Sequence, residues 1–247
     1  MSVAAIRWTG SRWWAQVLVY LSAYGAYSSA RWIAAGDEPR ATEHAHWIAN
    51  LEHSLHVGIE QSVQGALDTG WPIWLLNHIY LVAQFAVVPG ALIFLYFRSR
   101  PVYRGLRNTL LATWLIAVPI YALFPVAPPR LAGMGILDTI SDKSEASLNS
   151  HVATSFYNPF AAVPSLHAGF AFAVGIALAI AASHRWAKAL ALLWGPIVSL
   201  SVVATGNHYL FDIAAGVVVT GLGFWAGRLG RRLSDRSLSP VPKGALP

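Results

Sequence analysis

A chain of 247 residues is long enough for one or two soluble domains, but 55% hydrophobic residues, 11% charged residues and a mean hydropathy of +0.49 place it outside that class. The net charge of +6 gathers in short clusters beside apolar segments, which argues against a nucleic-acid partner and for membrane topology. With no cysteine there is no disulfide, thiolate nucleophile or zinc–thiolate centre.

Residues 1–12 form a short polar start with Arg7 and Arg12. No cleavable signal peptide is expected, because the first apolar segment lacks a short hydrophobic region ending at small residues. That segment, about Trp13 to Ile33, is close to the roughly 20 residues a spanning helix needs. From Gly36 to Gly70, Glu43, Glu52, Glu60 and Asp68 appear while Trp47, Ile48, Leu51, Leu55, Ile59, Val63 and Leu67 recur at helical spacing. The pattern predicts an amphipathic helix lying on the outer membrane surface. A second span runs from about Pro72 to Phe97, with Pro89-Gly90 marking a kink. After a basic loop, the third span, about Leu106 to Phe124, stops at Pro125-Val126-Ala127-Pro128-Pro129-Arg130, whose prolines cannot continue a helix. Residues 131–163 form a long polar connection of a length that tends to be functional. Span four begins at Pro164 and ends near Ser183, span five covers about Trp186 to Ala204, and span six runs from His208 to about Gly227. The sequence therefore predicts an all-α polytopic membrane protein with six transmembrane helices and one surface helix. Its parts are residues 1–70 (first span and interfacial helix), 71–227 (a five-helix core) and 228–247 (a basic, disordered tail).

Charge fixes the expected orientation. Placing the N-terminus, the 98–107 loop, the 184–188 loop and the tail on one side leaves only Arg31, Arg40, Arg130 and Lys143 opposite. The Lys/Arg-rich side is the cytoplasm by the positive-inside rule. Arg130, His167, His208 and Asp212 then fall at the outer ends of spans three, four and six. Pro164 sits where a helix tolerates a missing amide hydrogen, so Ser165, Leu166 and His167 occupy an opening turn suited to an anion. His208 and Asp212 are four apart, which on a helix puts the acid in reach of the imidazole it would orient. Two histidines, a carboxylate and a helix N-terminus suit phosphoryl transfer. Asp212 is the residue least explained by structure alone, since an unpaired carboxylate in an apolar helix costs roughly 2.5–3.5 kcal/mol. Arg130 has the alternative of a snorkelling anchor, and Ser165 that of a helix cap. The histidines His44, His46, His53 and His56 lack the third ligand of a metal motif and read as surface residues. A transporter or structural protein retaining these residues is the alternative to an enzyme; a transport path, however, would carry polar groups across the whole membrane.

Pro164 to His167 and the later His208-x-x-x-Asp212 pair resemble the motifs of the type 2 phosphatidic acid phosphatase superfamily, over roughly residues 70–227. The resemblance implies a lipid phosphatase or phosphotransferase with His167 as the acid, His208 as the nucleophile that forms a phosphohistidine, and Arg130 in the arginine place of the first block. It implies no cofactor and no metal. The lysine place of that block is Leu123, and an arginine often found six residues before the nucleophile is replaced by Val202. Pro128-Pro129-Arg130, Pro164-Ser165-Leu166-His167 and Asn207-His208-Tyr209 are similar to the branch that includes inositol phosphorylceramide synthases, inositolphosphotransferases that move a phosphorylated head group between lipids. Arg130, Ser165, Asn207 and His78, near the outer end of span two, form the expected substrate-binding set. The expected partners are a lipid phosphate, the membrane itself and a second alcohol or lipid acceptor. The expected location is the plasma membrane with the active site on its extracytoplasmic side.

Overall fold

The computed structural model describes residues 13–33, 38–143 and 159–237. All regular structure among them is helical: α1 (Trp13–Ile33), α2 (Glu38–Ser54), α3 (Glu60–Leu67), α4 (Trp71–Val82), α5 (Val88–Arg98), α6 (Arg100–Leu123), α7 (Thr139–Lys143), α8 (Leu166–Ala181), α9 (Arg185–Ala204) and α10 (Leu210–Ser237). A single parallel bridge joins Val126 and Ala161. Four continuous helical stretches are long and apolar enough to cross a membrane: Trp71–Arg98, Arg100–Leu123, Arg185–Ala204 and Leu210–Gly230. Helix α8 is equally apolar but has 16 residues.

The irregularity at Pro89 takes the form of a π turn over Ala83–Val87, which joins α4 to α5 without interrupting the stretch. Proline lacks the amide hydrogen its i−4 carbonyl needs, and a widened turn redistributes the orphaned groups. Helix α6 lies at the centre. It packs against α1, α5, α8 and α10, and α8 in turn packs against α9 and α10. Its Leu106, Leu110, Trp114, Ala117 and Tyr121 meet Phe170 and Val174 of α8 and Tyr27 of α1 in the largest apolar cluster. Inside a bilayer such contacts act through close packing and not through exclusion of water, so small residues matter as much as large ones. At Gly216 a Cβ would collide with the Ser165 carbonyl oxygen. The missing side chain is what lets the start of α8 rest on α10.

Three expectations need correction. The single surface helix over 36–70 is two helices, α2 and α3, separated by a turn in which His56 has φ +58°. The buried face of α2 is Ala41, Ala45, Ile48 and Glu52, whereas Trp47 and Leu55 are exposed. Small residues are inside because α2 lies tightly on the 126–132 and 162–163 segments, with the Ala127 amide donating to the Ala41 carbonyl at 3.0 Å. Finally, α10 continues to Ser237, so the first ten residues of the expected tail are helical; residues 238–247 and the loop over 144–158 lie outside the described residues.

Candidate active site

The opening of α8 is set by its cap. Ser165 has extended backbone angles, and its Oγ accepts the Ala168 amide at 3.4 Å. Its own amide donates to the Asp212 carbonyl at 2.9 Å, while the Tyr121 hydroxyl donates to the Pro164 carbonyl at 2.8 Å. Helix α8 thus begins at Leu166, with Pro164 just outside it, and Ser165 is fully buried as the cap. Three helices therefore fix the position of His167.

The turn between α9 and α10 fixes His208. Gly206 has φ +70°, a conformation L side chains rarely adopt, and a Cβ there would stand 2.7 Å from the Leu137 carbonyl oxygen. The amides of Asn207 and His208 both donate to the Val202 carbonyl, at 3.0 and 3.1 Å. His208 consequently precedes α10 instead of lying on it. The expected pairing with Asp212 survives this shift: His208 Nδ1 is 3.1 Å from Asp212 Oδ2. That same oxygen accepts the Tyr209 amide at 3.0 Å, which marks it as an acceptor and Nδ1 as the protonated ring nitrogen. Asp212 is wholly buried, and His208 nearly so.

A cavity of about 260 Å³ is lined by His167, His208 and Asn207, by Pro128, Ala161 and Leu166, and by Tyr24, Tyr27, Tyr80, Gln84, Phe85 and Tyr121. The rings of His167 and His208 face it with centroids 6.1 Å apart, and His167 stacks on Tyr80 at 4.4 Å. A displacement at phosphorus needs a nucleophile and an acid on opposite sides, each about 3 Å from its reacting atom, so this separation suits the chemistry. Asn207 Nδ2 donates to the Thr205 hydroxyl at 2.9 Å, while its Oδ1 is buried without a partner among the described residues.

Arg130 sits on the short 3-10 turn Pro129–Leu131, its amide bonded to the Gly206 carbonyl at 3.0 Å. Its side chain is fully buried, with Nε 3.2 Å from Asp138 Oδ2. Nη1 and Nη2 have no hydrogen-bond partner among the described residues. Each unmet buried donor costs about 1–3 kcal/mol, more when charged, and an anion would relieve that cost. Arg130 packs against the Gly206 turn, at the edge of the cavity that Pro128 and Asn207 line. His78 is not brought to the site: it is exposed, donates through Nδ1 to the Trp74 carbonyl at 2.7 Å and meets the Trp74 ring at a tilt of 37°, centroids 4.2 Å apart. Tyr80 and Leu81, two and three residues on, are α4 residues at the cavity. Leu123, in the lysine place, is 73% exposed, and Val202 is buried beneath the His208 turn.

Sequence reading missed Tyr27, Tyr80 and Tyr121 of the cavity wall. It also missed two acids. Glu52 Oε1 accepts the Phe211 amide at 2.6 Å and Glu60 Oε1 accepts the Leu210 amide at 3.0 Å, capping the first turn of α10. Nothing in the periodicity of residues 36–70 separates them from solvated acids such as Glu43.

Apolar helices of spanning length around a buried acid–histidine pair and a second histidine define an integral membrane protein with a buried polar site. The chain belongs to the PAP2 superfamily, whose family pattern matches residues 46–226. It is similar to the lipid A 4'-phosphatase of Bacteroides thetaiotaomicron, at 36% identity over 33% of this chain and 38% of that protein. It is also similar to the phosphoinositol dihydroceramide synthase of the same organism, at 27% identity over 72% of this chain and 65% of that protein. The chain thus spans less than two thirds of either relative. No solved structure matches it.

Proposed function

We propose that this protein transfers or hydrolyses the phosphoryl head group of a lipid through a phosphohistidine on His208. The observation that carries the reading is the Asp212-bound His208 facing His167 across one cavity. His208 Nε2 supplies the electron pair that bonds to phosphorus, and the bond to the leaving oxygen breaks as His167 protonates it. An incoming hydroxyl then gives its proton to His167, its oxygen bonds to phosphorus, and the phosphorus–nitrogen bond breaks. Asp212 holds the ring and stabilises its cation. Arg130, Asn207 and the amides opening α8 stabilise charge on the non-bridging oxygens. Side chains and backbone amides of the chain fill every role, so the scheme is metal-independent.

A second cavity, of about 530 Å³, supports a lipid substrate. It shares Tyr24, Gln84 and Phe85 with the catalytic cavity and continues between α1 and α5 past Leu21, Pro89, Leu92, Ile93 and Phe97. The thirteen helical rises from Gln84 to Phe97 span about 20 Å, more than the ~15 Å half-thickness of a bilayer core. A hydrocarbon tail fits there with its phosphate at the histidines. With the positive-inside distribution of Lys and Arg, this reading has six spans, cytoplasmic termini, and a site at the outer face of the plasma membrane.

Transfer to a second alcohol is favoured over hydrolysis by the breadth of the likeness to the synthase, which covers 72% of this chain against 33% for the phosphatase. The deciding experiment incubates purified protein with a labelled lipid phosphate, with and without polyol or inositol-containing lipid acceptors. A new phosphodiester lipid that fails to form with His208→Ala establishes transfer. Free phosphate as the only product under every condition eliminates it.

A further inference from the structure

Helix α10 carries Asp212 in its first turn, and its N-terminal amides are held from outside the core. Three are taken by carboxylates: Tyr209 by Asp212, Leu210 by Glu60 of α3 and Phe211 by Glu52 of α2. A helix N-terminus welcomes negative charge, but three buried anions at one turn repel each other strongly. Glu52 and Glu60 are both buried, at 3% and 6% exposure, and each accepts one of two consecutive amides, Phe211 and Leu210, which sets the two carboxyl groups side by side. An ionised carboxylate only accepts, so a bond between two of them requires a proton. Glu52 Oε2, the oxygen not used by Phe211, finds no other donor among the described residues. The turn over 55–59 brings Glu60 back beside Glu52, and the two surface helices place these acids where the chain enters the catalytic helix.

We propose that Glu52 and Glu60 share a single proton and act as positioning residues for the His208–Asp212 pair, holding the first turn of α10 in register while keeping the charge beside it at one. This rests on the phosphohistidine reading for its catalytic consequence, not for the shared proton. The ionisable groups around Glu52 are Glu60 on α3, Asp212 on α10 and Tyr209 in the turn before it. Burial, and then the bond to Glu60, push the Glu52 carboxyl up to about 8. Loss of the shared proton puts a second anion next to Asp212 and to the phosphoryl group on His208, so turnover declines as pH rises through that value.

The sign for stability follows from the same shift. Glu52 ionises near 4.5 when unfolded and near 8 when folded. Between those values the folded chain keeps a proton that the unfolded chain has released. Stability is therefore highest below the unfolded value and falls as pH rises through the window.

The test uses the full chain in lipid nanodiscs. Glu52→Gln keeps an acceptor for Phe211 and mimics the protonated form: its kcat at neutral pH should stay within about threefold of wild type, and its decline near pH 8 should vanish. Glu52→Ala should lower kcat by about tenfold or more with KM within about twofold, the signature of a misplaced reacting group and not of lost binding. The thermal midpoint of wild type should fall between pH 5 and 8, in the His208→Ala background as well, and be flatter in Glu52→Gln. An alkaline limb unchanged by Glu52→Gln, or a midpoint slope unchanged by it, overturns the proposal. If every variant lacks activity on lipid phosphates, the midpoint measurement alone decides on the shared proton, and it is the catalytic reading that has failed.

Discussion

Two regions grip the start of α10 and the His208–Asp212 pair by opposite means. In the α8–α10 seam, backbone meets backbone: the Ser165 amide bonds the Asp212 carbonyl, and Gly216 leaves no side chain between them. In the α2–α3 layer, side chains reach across to backbone, with Glu52 and Glu60 on the amides of Phe211 and Leu210. The first arrangement tolerates no added volume and is indifferent to charge. The second has room to relax sterically but depends on how many protons it holds. The same site is thus held by close packing in one region and by polar capping in the other.

The largest effect should come from the residues both regions serve. His208→Ala should abolish turnover, and Asp212→Asn should lower kcat by about 10⁴-fold, as expected when an orienting acid loses its charge; a trapping assay for the acid-labile phosphoenzyme should show none in the first variant. Near-normal turnover of His208→Ala would remove the basis for comparing the regions at all. Next, Gly216→Val should break the seam by volume. Overpacking costs about 1–3 kcal/mol, and a displacement of about 1 Å at the histidines costs on the order of 10²-fold in rate. Thermal midpoint and kcat measured together would show it, and a fully active Gly216→Val would mean that the seam does not set the geometry.

Arg130→Met should raise KM and lower kcat by about 10²-fold or more, because the guanidinium that offers Nη1 and Nη2 to an anion is gone. Unlike the Glu52 variants, it should leave the alkaline limb in place, which separates phosphate binding from the capping layer. The smallest effect belongs to Trp47→Ser. Trp47 is 52% exposed and touches Phe124 and Phe211 edge-on, so its loss should change the midpoint in detergent by only a few degrees. Its loss should matter more in a bilayer, where an exposed tryptophan anchors at the interface; equal effects in both media would place the outer face of α2 away from lipid.

The sequence by itself determined the helical class and the segments that become α1, α4–α5, α6, α8, α9 and α10. These rest on apolar run length, which is a local property. The rest depended on contacts between distant residues. Asp212 reaches His208 although the histidine lies before the helix, because the Val202 carbonyl gathers the amides of the preceding turn. His78 and Tyr80 differ by two positions on α4, and only the rotation of that helix against α9 and α8 decided that the tyrosine meets His167 and the histidine meets Trp74. Glu52 and Glu43 look alike in a polar segment. One is buried at a helix N-terminus about 160 residues further along the chain, and no periodicity records a partner at that distance.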